Sequence, residues 1–207
     1  MPSLPLAASI PLSLSFGYIC GSVPFGYLAG RINGLDIRRH GSGNIGFTNV
    51  LRVINAGWAV PVLLLDVGKG LLPAAIAAPL GLIPALAGTG AILGHVFTPW
   101  LGFKGGKGVA TTIGVAALLC LRSLLPGLGI YALVLLATGF ISVSSLAFGI
   151  ALIPLTALIY RGDLALLAFT AVVGVLIIIR HRANISRLVT GTEPRLSLWL
   201  RLFRRNR

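Results

Sequence analysis

Residues 41–52 read GSGNIGFTNVLR, a stretch dense in small polar side chains and closed by an arginine. Glycines at Gly41, Gly43 and Gly46 free the backbone to turn its N–H groups inward. Ser42, Asn44, Thr48 and Asn49 add side-chain donors, and Arg52 adds a planar cation suited to phosphate or carboxylate. Together they fit an anion cradle; an ordinary turn followed by a capped helix explains one or two of these residues but not all. A second stretch, GFKGGKGVATT at 102–112, sets Lys107 among Gly105, Gly106 and Gly108, with Lys104 just before. The helix expected after it offers N-terminal amides and the positive end of its dipole to an anion. A Walker motif fails at Leu101 and Gly108, so a nucleoside triphosphate is not implied. A positive anchor for a membrane loop is the plainer alternative. The third stretch, RHRANISRLVTGTE at 180–193, places His181, Asn184 and Arg187 on one face if helical. Attraction to anionic headgroups accounts for Arg182 and Arg187, but not for His181 and Asn184. Ser145, in the SVSS run at 142–145 between two apolar segments, is a further hydroxyl donor or a helix cap.

The same inventory excludes several chemistries. The four acids, Asp36, Asp66, Asp163 and Glu193, form no sequence-local pair and no metal-ligand cluster, so no metal and no cofactor is expected. No HxxxxD follows His40, His95 or His181, and there is no GxSxG nucleophile elbow. Cys20 and Cys120 sit in apolar surroundings as packing residues. Glu193, alone among arginines, reads as a partner for one of them or as a cap. His95 reads as a hydrogen-bonded core histidine, with a place at the site as the alternative; His40 is loop. Asp66 and Lys69, three residues apart, offset each other's desolvation on one helix face, with a role at the site as the alternative. What remains is a cationic, amide-rich site that binds phosphate and stabilises developing negative charge, with few general bases of its own.

The elements that must position these residues are membrane helices. Of 207 residues, 56% are hydrophobic and 10% charged, well below the roughly 25% charged residues of a soluble domain. Apolar segments run at 10–30, 54–80, 83–101, 109–124, 127–141, 145–160 and 164–179, which predicts an all-α, polytopic membrane protein with about seven spans and one domain over 1–207. Pro126-Gly127 is read as the turn between the fourth and fifth. Residues 1–30 lack a positive leader and are read as a retained span, with the chain beginning near Met1. An N-terminus outside and a C-terminus inside place fourteen basic residues on the cytoplasmic side and leave Arg122 and Arg161 outside. The net charge of +13 therefore reports topology and anion binding, and nucleic acid is not expected as a partner. The basic tail, 195–207, reads as a cytoplasmic surface anchor.

In order, spacing and chain length, the three motifs resemble the bacterial acyl-phosphate:glycerol-3-phosphate acyltransferase family, PlsY, over essentially the whole chain. The resemblance implies a seven-helix enzyme of the bacterial inner membrane, its site facing the cytoplasm. It would move a fatty acyl group from acyl phosphate to the 1-hydroxyl of glycerol 3-phosphate, giving lysophosphatidic acid and phosphate, as the opening of phospholipid synthesis. It further implies that Lys107 and its glycines, with Gly43, Lys104, Ser145, His181 and Asn184, hold substrate, while Ser42, Asn44, Thr48, Asn49 and Arg52 orient the reacting groups. The Arg-rich tail departs from the family pattern. A transporter for a small phosphorylated anion is the rival class. Against it, the halves show no internal repeat, and the motifs are expected at one membrane face. A membrane scaffold would leave all three motifs unexplained.

Overall fold

The structure, a computed structural model, describes residues 5–196. The expected start at Met1 and the anchor expected in the tail, apart from Arg195 and Leu196, lie outside the described residues. Among them, every regular element is helical. The helices are α1 (Leu6–Gly21), α2 (Phe25–Ile32), α3 (Phe47–Val53), α4 (Ala56–Ala77), α5 (Pro84–Val96), α6 (Val109–Leu119), α7 (Leu121–Thr138), α8 (Ile141–Ile159), α9 (Leu164–Arg180) and α10 (Arg182–Val189). They form two compact units, Met1–Leu119 and Cys120–Arg207.

Four stretches are long and apolar enough to cross a membrane: Leu6–Ile32, Ala56–Leu80, Leu121–Thr138 and Ile141–Ile159. The pair α9–α10, bent by 53°, makes a fifth if it counts as one span. Two expected spans are shorter than their apolar runs. α5 has 13 residues and α6 has 11, about 20 and 16 Å of helix against a hydrocarbon core of about 30 Å.

In the first unit α1 packs on α5, and α4 packs on both α5 and α6. Glycine sets how near they come. A Cβ at Gly17 or Gly21 of α1 would strike the carbonyls of Ala87 and Ala91, and one at Gly90 or Gly94 of α5 would strike those of Leu14 and Tyr18. This reciprocal backbone approach is how helices associate where lipid is as apolar as any neighbour. α1 and α2 are separated at Ser22-Val23-Pro24. Thr98 Oγ1 donates to the Ser22 carbonyl (2.6 Å) and Lys69 Nζ to the Val23 carbonyl (2.7 Å), so the break leaves neither oxygen bare in lipid. α4 starts at Asn55, whose side chain accepts from the Trp58 amide.

In the second unit α8 packs between α7 and α9. Two expectations are corrected there. Pro126 and Gly127 lie inside α7, and the chain breaks earlier, at Cys120 (φ −144°, ψ 52°). A proline removes one backbone donor, which a membrane helix tolerates when its neighbours re-satisfy the freed carbonyl; Pro11, Pro61, Pro73 and Pro154 are likewise inside helices. The SVSS run is not a loop either. It forms the first turn of α8, after a break at Gly139, whose φ of 75° is a conformation only glycine adopts readily.

Candidate active site

The first polar loop holds itself together. Asn49, buried on α3, accepts from the Ser42 amide through Oδ1 (2.9 Å) and donates through Nδ2 to the carbonyls of Ile37 (3.2 Å) and His40 (3.0 Å). Its amide is therefore committed to the shape of the loop. Asn44 Oδ1 accepts from the Gly46 amide (2.8 Å), a side-chain turn that sets the entry to α3. Asp36 caps the short 3-10 turn Ile37–Arg39 and pairs with Arg38 at 2.7 Å. That hydrogen-bonded guanidinium holds the Asp36 carboxyl down to about 2. His40 closes the turn through Nδ1 against the Asp36 carbonyl (2.9 Å). With the loop so fixed, Ser42 and Arg52 are exposed and Thr48 half-buried. Thr48 and Arg52, four apart on α3, share a face.

The second loop is held by the helix it leaves. After α5, the 3-10 turn Pro99–Leu101 carries the chain outward, and Phe103, at φ 62°, is the one described residue other than glycine with positive φ. The chain then returns over the end of α5. Gly105 N donates to the Val96 carbonyl (3.0 Å) and Gly106 N to that of His95 (3.1 Å). A Cβ at Gly105 would strike the His95 carbonyl, and one at Gly106 the His95 imidazole at Nε2. Glycine is required there by contact. Gly108 turns at φ 85°, and α6 begins with the Thr112 amide on the Gly108 carbonyl (2.8 Å). Val109, Ala110 and Thr111 thus present N–H groups that have no acceptor within the helix. Lys107, half-buried, stands beside this positive helix end, and Lys104 is exposed.

These two loops share one apolar floor. Leu101, from the turn before the glycine loop, is buried in a cluster with Ile37, Ile45 and Val50 of the first loop and with Ala29, Ala59 and Val62. A Cβ at Gly26 of α2 would strike the Ile45 carbonyl, so the first loop lies directly on that helix.

In the second unit one of the expected substrate groups, Asn184, is bonded to Glu193. His181 is buried at the junction of α9 and α10, and its Nδ1 donates to the Ile177 carbonyl (2.8 Å), since a carbonyl only accepts. Asn184, one turn on and also buried, donates Nδ2 to Glu193 Oε1 at 2.6 Å. Arg187 bonds the other oxygen at 2.7 Å. Burial pushes the Glu193 carboxyl up, but these hydrogen bonds outweigh it and hold the group below its ordinary value. After α10 the chain returns to the start of α8, where Leu196 N donates to the Gly139 carbonyl (2.8 Å) and the Arg195 guanidinium lies 4.9 Å over the Phe140 ring. Ser145, buried in the first turn of α8, donates to the Ile141 carbonyl (2.8 Å).

Glu193 pins an arginine, as its isolation among basic residues suggested. Its hold on Asn184 had no sequence signal, because nine residues and a turn separate them. Asp66 and Lys69 do pair, at 2.8 Å. The approach of His95 to Gly106 was invisible, since it depends on the chain doubling back after Pro99. Among the described residues, no group of three or more His, Cys, Asp and Glu side chains gathers in a metal-binding arrangement.

A family profile described as glycerol-3-phosphate acyltransferase matches residues 11–191. A glycerol-3-phosphate acyltransferase of Brucella suis is 47% identical over 186 residues, covering 89% of this chain and 92% of its own. Two crystal structures of PlsY, an integral membrane glycerol 3-phosphate acyltransferase, superpose with TM-scores of 0.86 and 0.83 at 36% and 35% identity, each covering 94% of this chain and 99% of the other. One is the glycerol 3-phosphate form and the other the lysophosphatidic acid form. The phosphate-suited loops, the helical membrane architecture and these full-length similarities agree: the chain belongs to the glycerol-3-phosphate acyltransferase family, membrane enzymes of phospholipid synthesis.

Proposed function

We propose that this protein transfers a fatty acyl group from acyl phosphate to the 1-hydroxyl of glycerol 3-phosphate, as the first step of phospholipid synthesis at the cytoplasmic face of a bacterial inner membrane. The observation that carries this reading is the Lys107 loop. A cation and the open N-terminal amides of α6 lie together on a loop that shares its apolar floor with the arginine-bearing first loop. Two phosphates enter such a reaction, one on each substrate, and two anion-suited loops are there to receive them. Glycerol 3-phosphate and lysophosphatidic acid, carried by the solved PlsY forms, are the acceptor and product of this transfer.

In the proposed step the glycerol hydroxyl oxygen attacks the acyl carbonyl carbon. The new ester C–O bond forms as the bond from that carbon to the phosphate oxygen breaks, and inorganic phosphate leaves. A phosphate oxygen of a substrate takes the hydroxyl proton, because no described carboxylate is left unpaired beside these loops. Lys107, Arg52 and the α6 amides stabilise the developing charge. Ser42, Asn44 and Thr48 orient the reacting groups, Asn49 fixes the loop that bears them, Gly43 and Lys104 add substrate contacts there, and Ser145, His181 and Asn184 are further substrate-binding residues of one transmembrane domain. The reading includes seven spans, with the N-terminus outside and the C-terminus cytoplasmic, the arrangement that the charge bias favours.

The test follows phosphate release and lysophosphatidic acid formation by the purified protein in lipid from palmitoyl phosphate, with and without glycerol 3-phosphate, and lysophosphatidic acid formation from palmitoyl-CoA as alternative donor. Release should need both glycerol 3-phosphate and the acyl phosphate, and Lys107→Ala should lower it about 10²–10³-fold. Release that ignores glycerol 3-phosphate would overturn the acceptor assignment, and equal lysophosphatidic acid formation from palmitoyl-CoA would overturn the donor assignment. A trapped covalent acyl-enzyme would overturn direct attack.

A further inference from the structure

Beneath the glycine loop lies a set of buried ionisable groups that the transfer step does not use. Asp66 and Lys69 of α4 pair at 2.8 Å with side chains 3% and 5% exposed. Two charges removed from water are costly even when paired, and apolar side chains of similar size commonly serve stability as well or better. The pair is not isolated. Lys69 Nζ donates to the Val23 carbonyl (2.7 Å) and lies 5.3 Å over the Phe25 ring. On the other side, Asp66 Oδ1 faces Nδ1 of the buried His95 at 3.5 Å. The opposite edge of that ring, at Nε2, is what a Cβ on Gly106 would strike. One polar chain therefore runs from the break between α1 and α2, through Lys69, Asp66 and His95, to the loop that bears Lys107.

We propose that Asp66 and His95 are positioning residues for the phosphate loop. Asp66 sets the orientation of the imidazole, and the ring's Nε2 edge is the floor on which Gly105-Gly106-Lys107 is laid. This fixes where the Lys107 ammonium and the α6 amides meet a phosphate. A carboxylate that orients a histidine, which in turn orients a ligand-holding group, is a recurring way to make a site rigid. Two features of the geometry favour this over simple packing. The carboxylate lies on the Nδ1 side and the loop on the Nε2 side, so the ring bridges them. Both Gly105 and Gly106 also lack the side chain that would lift the loop off the histidine.

The inference rests on the Lys107 loop holding phosphate, so its test separates the two. His95→Gln, His95→Asn, Asp66→Asn and Lys107→Ala are purified in lipid nanodiscs. Each is measured for kcat, for KM with glycerol 3-phosphate and palmitoyl phosphate, for inhibition by inorganic phosphate, and for melting temperature. The Gln amide reaches the place of Nε2 and should keep phosphate inhibition and KM within about threefold of the parent. Asn reaches only the place of Nδ1, so it should weaken inorganic phosphate and raise KM for one phosphate substrate by roughly tenfold. Asp66→Asn should shift the same two constants in the same direction. If Lys107→Ala abolishes transfer while His95→Asn keeps the parent's constants, the inference fails and the loop reading stands. If Lys107→Ala remains active, the loop reading itself fails. Should His95→Asn not fold, Gly106→Ala alone and with His95→Ala decides the matter: removing the ring must recover at least about fivefold of the loss. Additive losses, or a double variant that cannot be recovered folded, overturn the proposal.

Discussion

The two loops of the first unit are both rich in glycine and cation, but they keep their shapes by different means. The loop at 33–55 is fastened by its own side chains: Asn49 ties three backbone groups of the loop, Asn44 makes its turn, and Asp36 grips Arg38. The loop at 97–108 is fastened to other parts of the unit: Thr98 Oγ1 and Trp100 Nε1 reach Ser22, at 2.6 and 3.0 Å. It is laid on the carbonyls of His95 and Val96 and on an imidazole backed by buried charge. A loop fastened from within can be damaged only locally, and it frees Ser42, Thr48 and Arg52 to face a ligand. A loop fastened from below depends for its shape on residues tens of positions earlier in the chain.

The sharpest way to break that contrast is Asp66→Ala. It leaves Lys69 buried without its counter-ion and should destabilise the protein by about 3–5 kcal/mol, read by unfolding in detergent. Adding Lys69→Met should recover most of that loss. If the second loop is fastened from below, its protection from amide hydrogen exchange should fall together with that of α4, while the first loop keeps its own. Asn49→Ala should do the reverse. Loss of three hydrogen bonds at one buried amide should cost about 1–3 kcal/mol, and the exchange increase should be confined to residues 36–49. Acid gives the smallest and most selective effect. The Asp36 carboxyl is held at about 2, below its unfolded value of about 3.9. Its contribution is therefore complete above about pH 4 and is lost as pH falls through about 2. Proteolytic sensitivity of the first loop should rise in that window, ahead of any change in the second, and stay flat from pH 5 to 8.

The sequence made the all-helical membrane architecture, the two cationic loops and the Asp66–Lys69 pair legible, because each rests on local composition or on a three-residue helical spacing. What it misplaced follows from the solvent. In water Pro126-Gly127 would be a sound turn, and Ser142–Ser145 a sound loop. In lipid a helix accepts proline if its neighbours supply the missing partner, and a hydroxyl can bond back to its own helix, as Ser144 and Ser145 do. The helix breaks lie instead at Cys120 and Gly139, where no cluster of polar residues marks them. Contacts made by return of the chain were beyond reach for a different reason. His95 against Gly106 and Asn184 against Glu193 each need an intervening turn whose geometry no periodicity encodes.

The short helices bear on how such a protein is made. α5 and α6, at 13 and 11 residues, fall well under the roughly 20 residues that a segment needs to cross unaided. Their partners are α1 and α4, and both leave the ribosome earlier. The grooves opened by Gly17 and Gly21 for α5, and by Gly70, where a Cβ would strike the Thr111 carbonyl, for α6, are therefore already synthesised when the two undersized segments emerge. Chain order thus delivers each short helix to a groove that has already been made.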